Sequence, residues 1–212
     1  MRTFQWPVII FALWILLAAG CSGPDPTSVE YEEIDTSQDP VQIPCDKEEG
    51  FTLKLKDGQL DVNPAAAYKI SAVVVGKESY SSGWSGRIAP IDLALAWGRA
   101  ADPESKKYVS FSQGDRWYFF TYEAGTPFDR TYIARHSSNN HIIPATENVL
   151  EAVRSVGKRQ KIVLEGFLVN LQGTYKGQRV WWSTSLTRDD SGDHSCELFY
   201  VTKVRIDNYV YQ

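Results

Sequence analysis

The chain has 212 residues, a formal charge of −4 and a mean hydropathy of −0.30. That length supports one sizeable core, or two small ones built around a shared sheet. Basic residues form no stripe of the kind nucleic-acid binding needs, which excludes that class of partner.

The chain starts with Arg2, continues as an apolar run from Val8 to Leu17, and closes on Ala18, Ala19 and Gly20 before Cys21. This is the order of a secretory signal: charged start, apolar middle, small-residue cleavage site. A spanning helix needs roughly 20 apolar residues, and this run is shorter, so residues 1–20 are expected to be removed. The stretch Leu17-Ala18-Ala19-Gly20-Cys21 resembles the lipobox of bacterial lipoproteins, with Ala18 in the place that more usually holds Leu. The resemblance implies that Cys21 is acylated and becomes the first residue of the mature chain. Ser22 after it, rather than Asp, implies the outer membrane under the enteric sorting rule. The alternative is ordinary cleavage that leaves Cys21 as a thiol on a soluble protein.

Loss of residues 1–20 removes only Arg2 and takes the charge to −5. From Ser22 to Pro44 the sequence carries Asp25, Glu30, Glu32, Glu33, Asp35 and Asp39, several prolines and no Lys or Arg. One-sided charge with little apolar content predicts a segment that does not order itself. Residues 21–45 are expected to be an acidic tether with a mean reach of about 25 Å, and residues 46–212 a single globular domain. If Cys21 carries lipid, Cys45 and Cys196 remain. In an oxidising compartment they are a disulfide candidate. Each could instead be a small buried residue, and Cys196 could be a nucleophile.

Phe51–Leu55 alternates apolar and charged residues and predicts a strand before the turn at Lys56-Asp57-Gly58. The run from Ala67 to Gly76 is β-branched and predicts a central strand. Tyr80–Arg87 reads as a Gly/Ser loop around Trp84, and Asp92-Leu93-Ala94-Leu95-Ala96-Trp97 as a short helix stopped by Gly98. Tyr108–Phe111 and Arg116–Tyr122 predict two strands, Tyr132–Arg135 a third, and His136–His141 a polar loop. A helix over 146–157 has Thr146 as N-cap, apolar Val149, Leu150, Val153 and Val156 at helical spacing, and Gly157 at its end. Lys161–Leu171, Arg179–Leu186 and Glu197–Ile206 predict strands in two consecutive hairpins, an antiparallel meander. The fold class expected is therefore α+β, a largely antiparallel sheet with one clear helix ahead of a C-terminal meander. An OB-like barrel is one arrangement of those elements.

The stretch Arg135-His136-Ser137-Ser138-Asn139-Asn140-His141 holds two of the three histidines. Either imidazole could act as base, or the two could bind a metal, although no adjacent carboxylate or Cys supplies a third ligand. The alternative is that these groups hydrogen-bond backbone in a buried loop. Trp117, Tyr118 and the rings that follow, beside Arg116, could form a stacking platform for a sugar or peptide. Arg116, Trp117, Tyr118, Asn140 and Asp92 are the binding candidates; His136 and His141 are the catalytic ones. Asp189-Asp190-Ser191-Gly192-Asp193 has the spacing of a calcium loop but carries His194 and Tyr200 where an EF-hand has Gly and Glu. A solvated turn is the plainer reading. No G-x-S-x-G, Walker loop, H-E-x-x-H or C-x-x-C occurs, and no motif calls for a cofactor.

The segments Asp92–Gly98, Phe111-Ser112-Gln113 with Arg116-Trp117-Tyr118, His136–Ala145 and Cys196-Glu197 resemble a group of uncharacterised bacterial proteins over most of residues 65–205. The resemblance implies no activity. The function expected is an envelope lipoprotein, held at the membrane by its lipid and facing the periplasm, that binds a partner protein or an envelope saccharide or peptide without catalysis. The alternative is a metal- or His-dependent hydrolase using the His136–His141 segment.

Overall fold

The structure is a computed structural model that describes residues 23–45, 49–189 and 195–212. In chain order the elements are β1 (Thr27–Ser28), β2 (Val41–Pro44), β3 (Phe51–Leu55), β4 (Gly58–Ser79), α1 (Gly83–Ile88) and β5 (Ile91–Ala96). Then come β6 (Val109–Gly114), β7 (Trp117–Tyr122), α2 (Arg130–Arg135), β8 (Ser137–Pro144) and α3 (Glu147–Ser155). The chain ends with β9 (Lys161–Tyr175), β10 (Gln178–Trp182), β11 (Glu197–Ile206) and β12 (Tyr209–Tyr211). The protein is thus mostly β, largely antiparallel, with few helices.

Five strands close on themselves. β4 pairs with β5, β5 with β8, β8 with β11, β11 with β9, and β9 returns to β4. Only β8 and β11 are parallel, which requires a long crossover, and α3 lies on it. Closure removes the exposed edges an open sheet of this length would carry. β4 reaches two sets of partners because its 22 residues bend, with register shifts at Pro64/Ala66 and Val74/Gly76. Where β9 crosses β11, a Cβ on Gly166 would sit 2.0 Å from the Tyr200 carbonyl oxygen, so only glycine lets the ring close there.

Inside the ring, Ile70, Val74, Leu93, Leu95, Ile142, Leu164, Phe199 and Val201 are fully or almost fully buried. α3 seals one end with Val149, Ala152 and Val153. Burying each of the two valines contributes roughly 1.5–3 kcal/mol. The predicted cap holds: Thr146 Oγ1 accepts from Val149 N at 3.1 Å. The helix stops at Ser155 with Val156 as its extended C-cap, so Gly157 takes the C′ position. A second apolar cluster lies outside the ring, where Leu60, Val62, Val169, Leu171 and Leu198 meet Trp84 and Trp182.

Six predicted elements are corrected, the first being Tyr80–Arg87, where the expected loop turns helical from Gly83 to Ile88. Asp92–Ala96 is a strand, because Leu93 and Leu95 fill the barrel while Asp92, Ala94 and Ala96 face outward. Tyr132–Arg135 is helical, capped by Asp129, whose carboxylate accepts from Tyr132 N. The polar stretch from Ser137 is β8, buried between β5 and β11. The C-terminal meander is broken, since β10 pairs with β9 and β11 pairs with β9 and β8. Finally, residues 23–45 lie along the body where a free tether was expected. β1 pairs with β12, Ile34 is buried, Gly98 N donates to Thr36 O, and β2 pairs with β4. Glu33 reaches Lys161 at 2.7 Å. Among the described residues no helix is long and apolar enough to cross a membrane.

Candidate functional site

The outward face of β5 and β8 is polar yet buried. Asp92 stands opposite His141, Ala94 opposite Asn139, and Ala96 opposite Ser137. The two alanines leave room for the β6–β7 hairpin, which lies over this face. Gly76 makes more room, since a Cβ there would sit 2.4 Å from Gln113 Oε1. Gln113 Nε2 donates to Asn139 Oδ1 at 2.8 Å, Asn139 Nδ2 to Arg116 O at 2.9 Å, and Tyr118 Oη to Ser137 O at 3.2 Å. The hairpin turns on Asp115 and Arg116 with φ of 51° and 72°, the left-handed pair whose twist suits a two-residue connection.

That turn aims Arg116 at a buried carboxylate. Arg116 Nη1 lies 2.6 Å from Asp92 Oδ1 and donates to Ala89 O at 2.9 Å, with its guanidinium 3.7 Å from the Tyr80 ring centre. Burial raises the Tyr80 phenol, and its oxygen accepts from Arg116 N. Asp92 is wholly buried and His141 almost so. His141 Nδ1 lies 2.9 Å from Asp92 Oδ1, within ion-pair distance but without the alignment of a hydrogen bond. Among the described residues Asp92 Oδ2 has no hydrogen-bond partner. A buried carboxylate held by one guanidinium is expensive to assemble.

Above these groups opens a cleft of about 310 Å³, lined by Trp84, Arg116, Trp117, His141, Trp181, Trp182 and Cys196 among others. The Trp182 ring packs 4.6 Å from His141 and meets Trp84 edge-on at 5.7 Å. Trp181 is 65% exposed. A second cavity of about 300 Å³ shares Trp117 and Cys196 with the first and is walled by Tyr118, Phe120, Arg130 and Arg188. Arg188 forms an ion pair with wholly buried Glu197.

Of the candidates read from sequence, Arg116, Trp117 and His141 line this cleft, Asp92 lies buried against Arg116 and His141, and Tyr118 lines the adjoining cavity. Asn140 does not join them. It turns toward the barrel interior, where Nδ2 donates to Ser138 Oγ at 2.9 Å, and its neighbour Asn139 holds the outward position. His136 is also elsewhere: it stacks on Tyr132 at 3.8 Å and lies 3.7 Å from Asp39. A site joining both histidines is therefore corrected, since strand β8 separates them and they line different cavities. Among the described residues no three His, Cys, Asp or Glu side chains gather as metal ligands. Cys45 and Cys196 are both thiols, so the disulfide candidate is not formed. Cys21 and Asp190–Asp193 of the calcium-like loop lie outside the described residues.

Sequence reasoning missed Trp84, Gln113 and Asn139. The available signal was the Trp181-Trp182 pair itself, which alternation splits into one exposed and one packed ring. No family model, curated protein or solved structure matches the chain.

Proposed function

We propose that the protein is a lipid-anchored binding protein of the bacterial envelope, with an OB-like barrel whose outer cleft takes a saccharide. The ring order β4-β5-β8-β11-β9, the parallel β8/β11 pair and a helix between the third and fourth barrel strands support the OB-like reading. Barrels of that kind take oligomeric ligands on the face of the second and third strands, between the connections after the first and fourth. Here those connections carry Trp84 and the Trp181-Trp182 pair. The observation that carries the proposal is the meeting of these rings over Arg116 and His141 in one cleft, with Asp92 buried behind both. Flat indoles suit the apolar faces of sugar rings, and a few fixed polar groups orient the hydroxyls.

Titration of the mature protein with soluble fragments of envelope glycan, followed by tryptophan fluorescence, tests this reading. Binding should saturate, and Trp181→Ala should weaken it by roughly 10- to 30-fold, the cost of losing an aromatic anchor. Unchanged affinity in Trp181→Ala, or no binding, removes the proposal. A peptide ligand is the second outcome of the same titration, read with peptide fragments.

The anchor rests on the lipobox resemblance and on the signal pattern before it. Because Asp25 N donates to Asn148 Oδ1 at 2.7 Å, chain contacts with the body begin four residues after Cys21. An extended span of that length reaches at most about 14 Å, so an acylated Cys21 holds the body close to the membrane. Incorporation of labelled fatty acid that disappears in Cys21→Ala supports acylation; label retained in that variant, or never incorporated, refutes it.

A further inference from the structure

We propose that Cys196 is a nucleophilic thiol that works with His141 and Asp92 on an acyl group, an amide or ester, held in the tryptophan-lined cleft. Cys196 immediately precedes β11 and stands across from Asn139 on β8, with Asn139 Nδ2 3.8 Å from its Sγ. His141 lies two residues further along β8 on the same outward face, and both side chains line the same cleft. With His141 Nδ1 turned to Asp92, Nε2 is the ring nitrogen left for the thiol side. A thiol and an imidazole lining one cleft, with a buried carboxylate beside the imidazole, are the groups that activate cysteine nucleophiles on unrelated folds.

Cations stand near the thiol. Arg116 from the hairpin turn lines the same cleft as Cys196, and Arg188 and Arg130 line the adjoining cavity that Cys196 also walls. Against these stand Asp92, paired with Arg116 and His141, and Glu197, which is paired with Arg188 and lies opposite inward-facing Asn140. Cationic neighbours with partial exposure distinguish reactive cysteines from inert buried ones. Cys45 offers the contrast within the same chain: it follows β2, and among the described residues its Sγ has a hydrogen-bond contact only with the Ile43 carbonyl, at 3.9 Å.

In the proposed reaction the thiol proton passes to His141 Nε2 as sulfur bonds to the acyl carbon. The C–N or C–O bond then breaks, and the amine or alcohol leaves with that proton. Water, deprotonated by His141, hydrolyses the thioester, releasing the carboxylic acid and restoring the thiol. No oxidant or reductant is needed. This inference does not depend on the saccharide reading, since any ligand bearing an amide or ester satisfies it.

The test uses the mature, full chain with no saccharide present. Alkylation by iodoacetamide, followed at each cysteine by mass spectrometry across pH, should show Cys196 reacting at least tenfold faster than Cys45 at pH 6.5. Its profile should turn at least one unit below the roughly 8.5 of an ordinary thiol. Nitrophenyl acetate should leave an acetyl group on Cys196 and release nitrophenol, and His141→Gln should slow both reactions at least tenfold. A Cys196 profile like that of Cys45 overturns the proposal without any variant. So does a fast Cys196 that takes no acetyl group, or a folded His141→Gln variant with unchanged rates.

Discussion

The two ends of β8 show how differently one strand can hold a histidine. His141 sits where the barrel, the hairpin turn and the Trp182 ring converge, with a wholly buried carboxylate behind it. His136, at the other end, rests on Tyr132 and faces Asp39, whose side chain is 80% exposed. The N-terminal strap reaches the barrel there, and Asp39 Oδ1 accepts from Trp97 Nε1 at 2.9 Å. The first region is assembled from buried charges that cannot separate without penalty. The second is a seam, closed by contacts that water already reaches. Preorganised chemistry belongs to the first, because only there are the polar groups fixed before a ligand arrives.

The sharpest way to break that distinction is Arg116→Ala. It leaves the Asp92 carboxylate buried without its guanidinium and strips the Ala89 carbonyl of a donor. Breaking a buried pair on one side costs about 3–5 kcal/mol. Urea unfolding should show a loss of that size, several times that of His136→Ala, which removes a stacked ring at the seam. Equal losses for the two variants would mean that the cleft is no more built than the strap.

Much of the architecture was legible, and the misreadings share a cause. The Arg116–Tyr122 strand, the Thr146-capped helix and the strands from Lys161 and Glu197 carry their own signals. Arg116, Asp92 and His141 were each visible as candidates because charge among apolar residues is conspicuous. Asp92–Trp97 looked helical because alternation of Leu with Ala is weak; Ala94 and Ala96 are small only because the hairpin packs on them. Ser137–His141 looked like a loop because its polar side chains find partners in Gln113 and the Arg116 carbonyl, which are distant in sequence. Residues 23–45 looked free because their contacts are long-range, such as β1 with β12 and Glu33 with Lys161. Local pattern does not report non-local pairing, and this fold depends on it.

Whether the seam admits water into the barrel can be read from Tyr68. It lines the strap-side cavity with Trp97 and His136, yet it is only 5% exposed and packs edge-on against Phe199 at 5.1 Å. Burial pushes its phenol up to about 12, opposed by the charge of Arg188. A folded pKa above the unfolded value of about 10 stabilises the native state fully below pH 10 and is lost as pH rises through 12. The wild type should lose up to about 3 kcal/mol more than Tyr68→Phe over that window, measured by chemical unfolding at each pH. Parallel curves for the two proteins would show that Tyr68 is wetted through the seam.

The smallest effect should come from Glu33→Gln, at the strap's ion pair with Lys161. The hydrogen bond and the charge of Lys161 hold the Glu33 carboxyl below its ordinary range, but the side chain is largely exposed and its pairing is screened by salt. Global melting should be unchanged. The strap should open more often, so that amide exchange quickens at Val29, which donates to Asn208 O, and at Gly98, which donates to Thr36 O. Amides of β8 beside the cleft should not respond, and high salt should reproduce the effect in the wild type. Quickened exchange across β8 would instead show that strap and cleft open together, and the two ends of the strand would then be one cooperative unit.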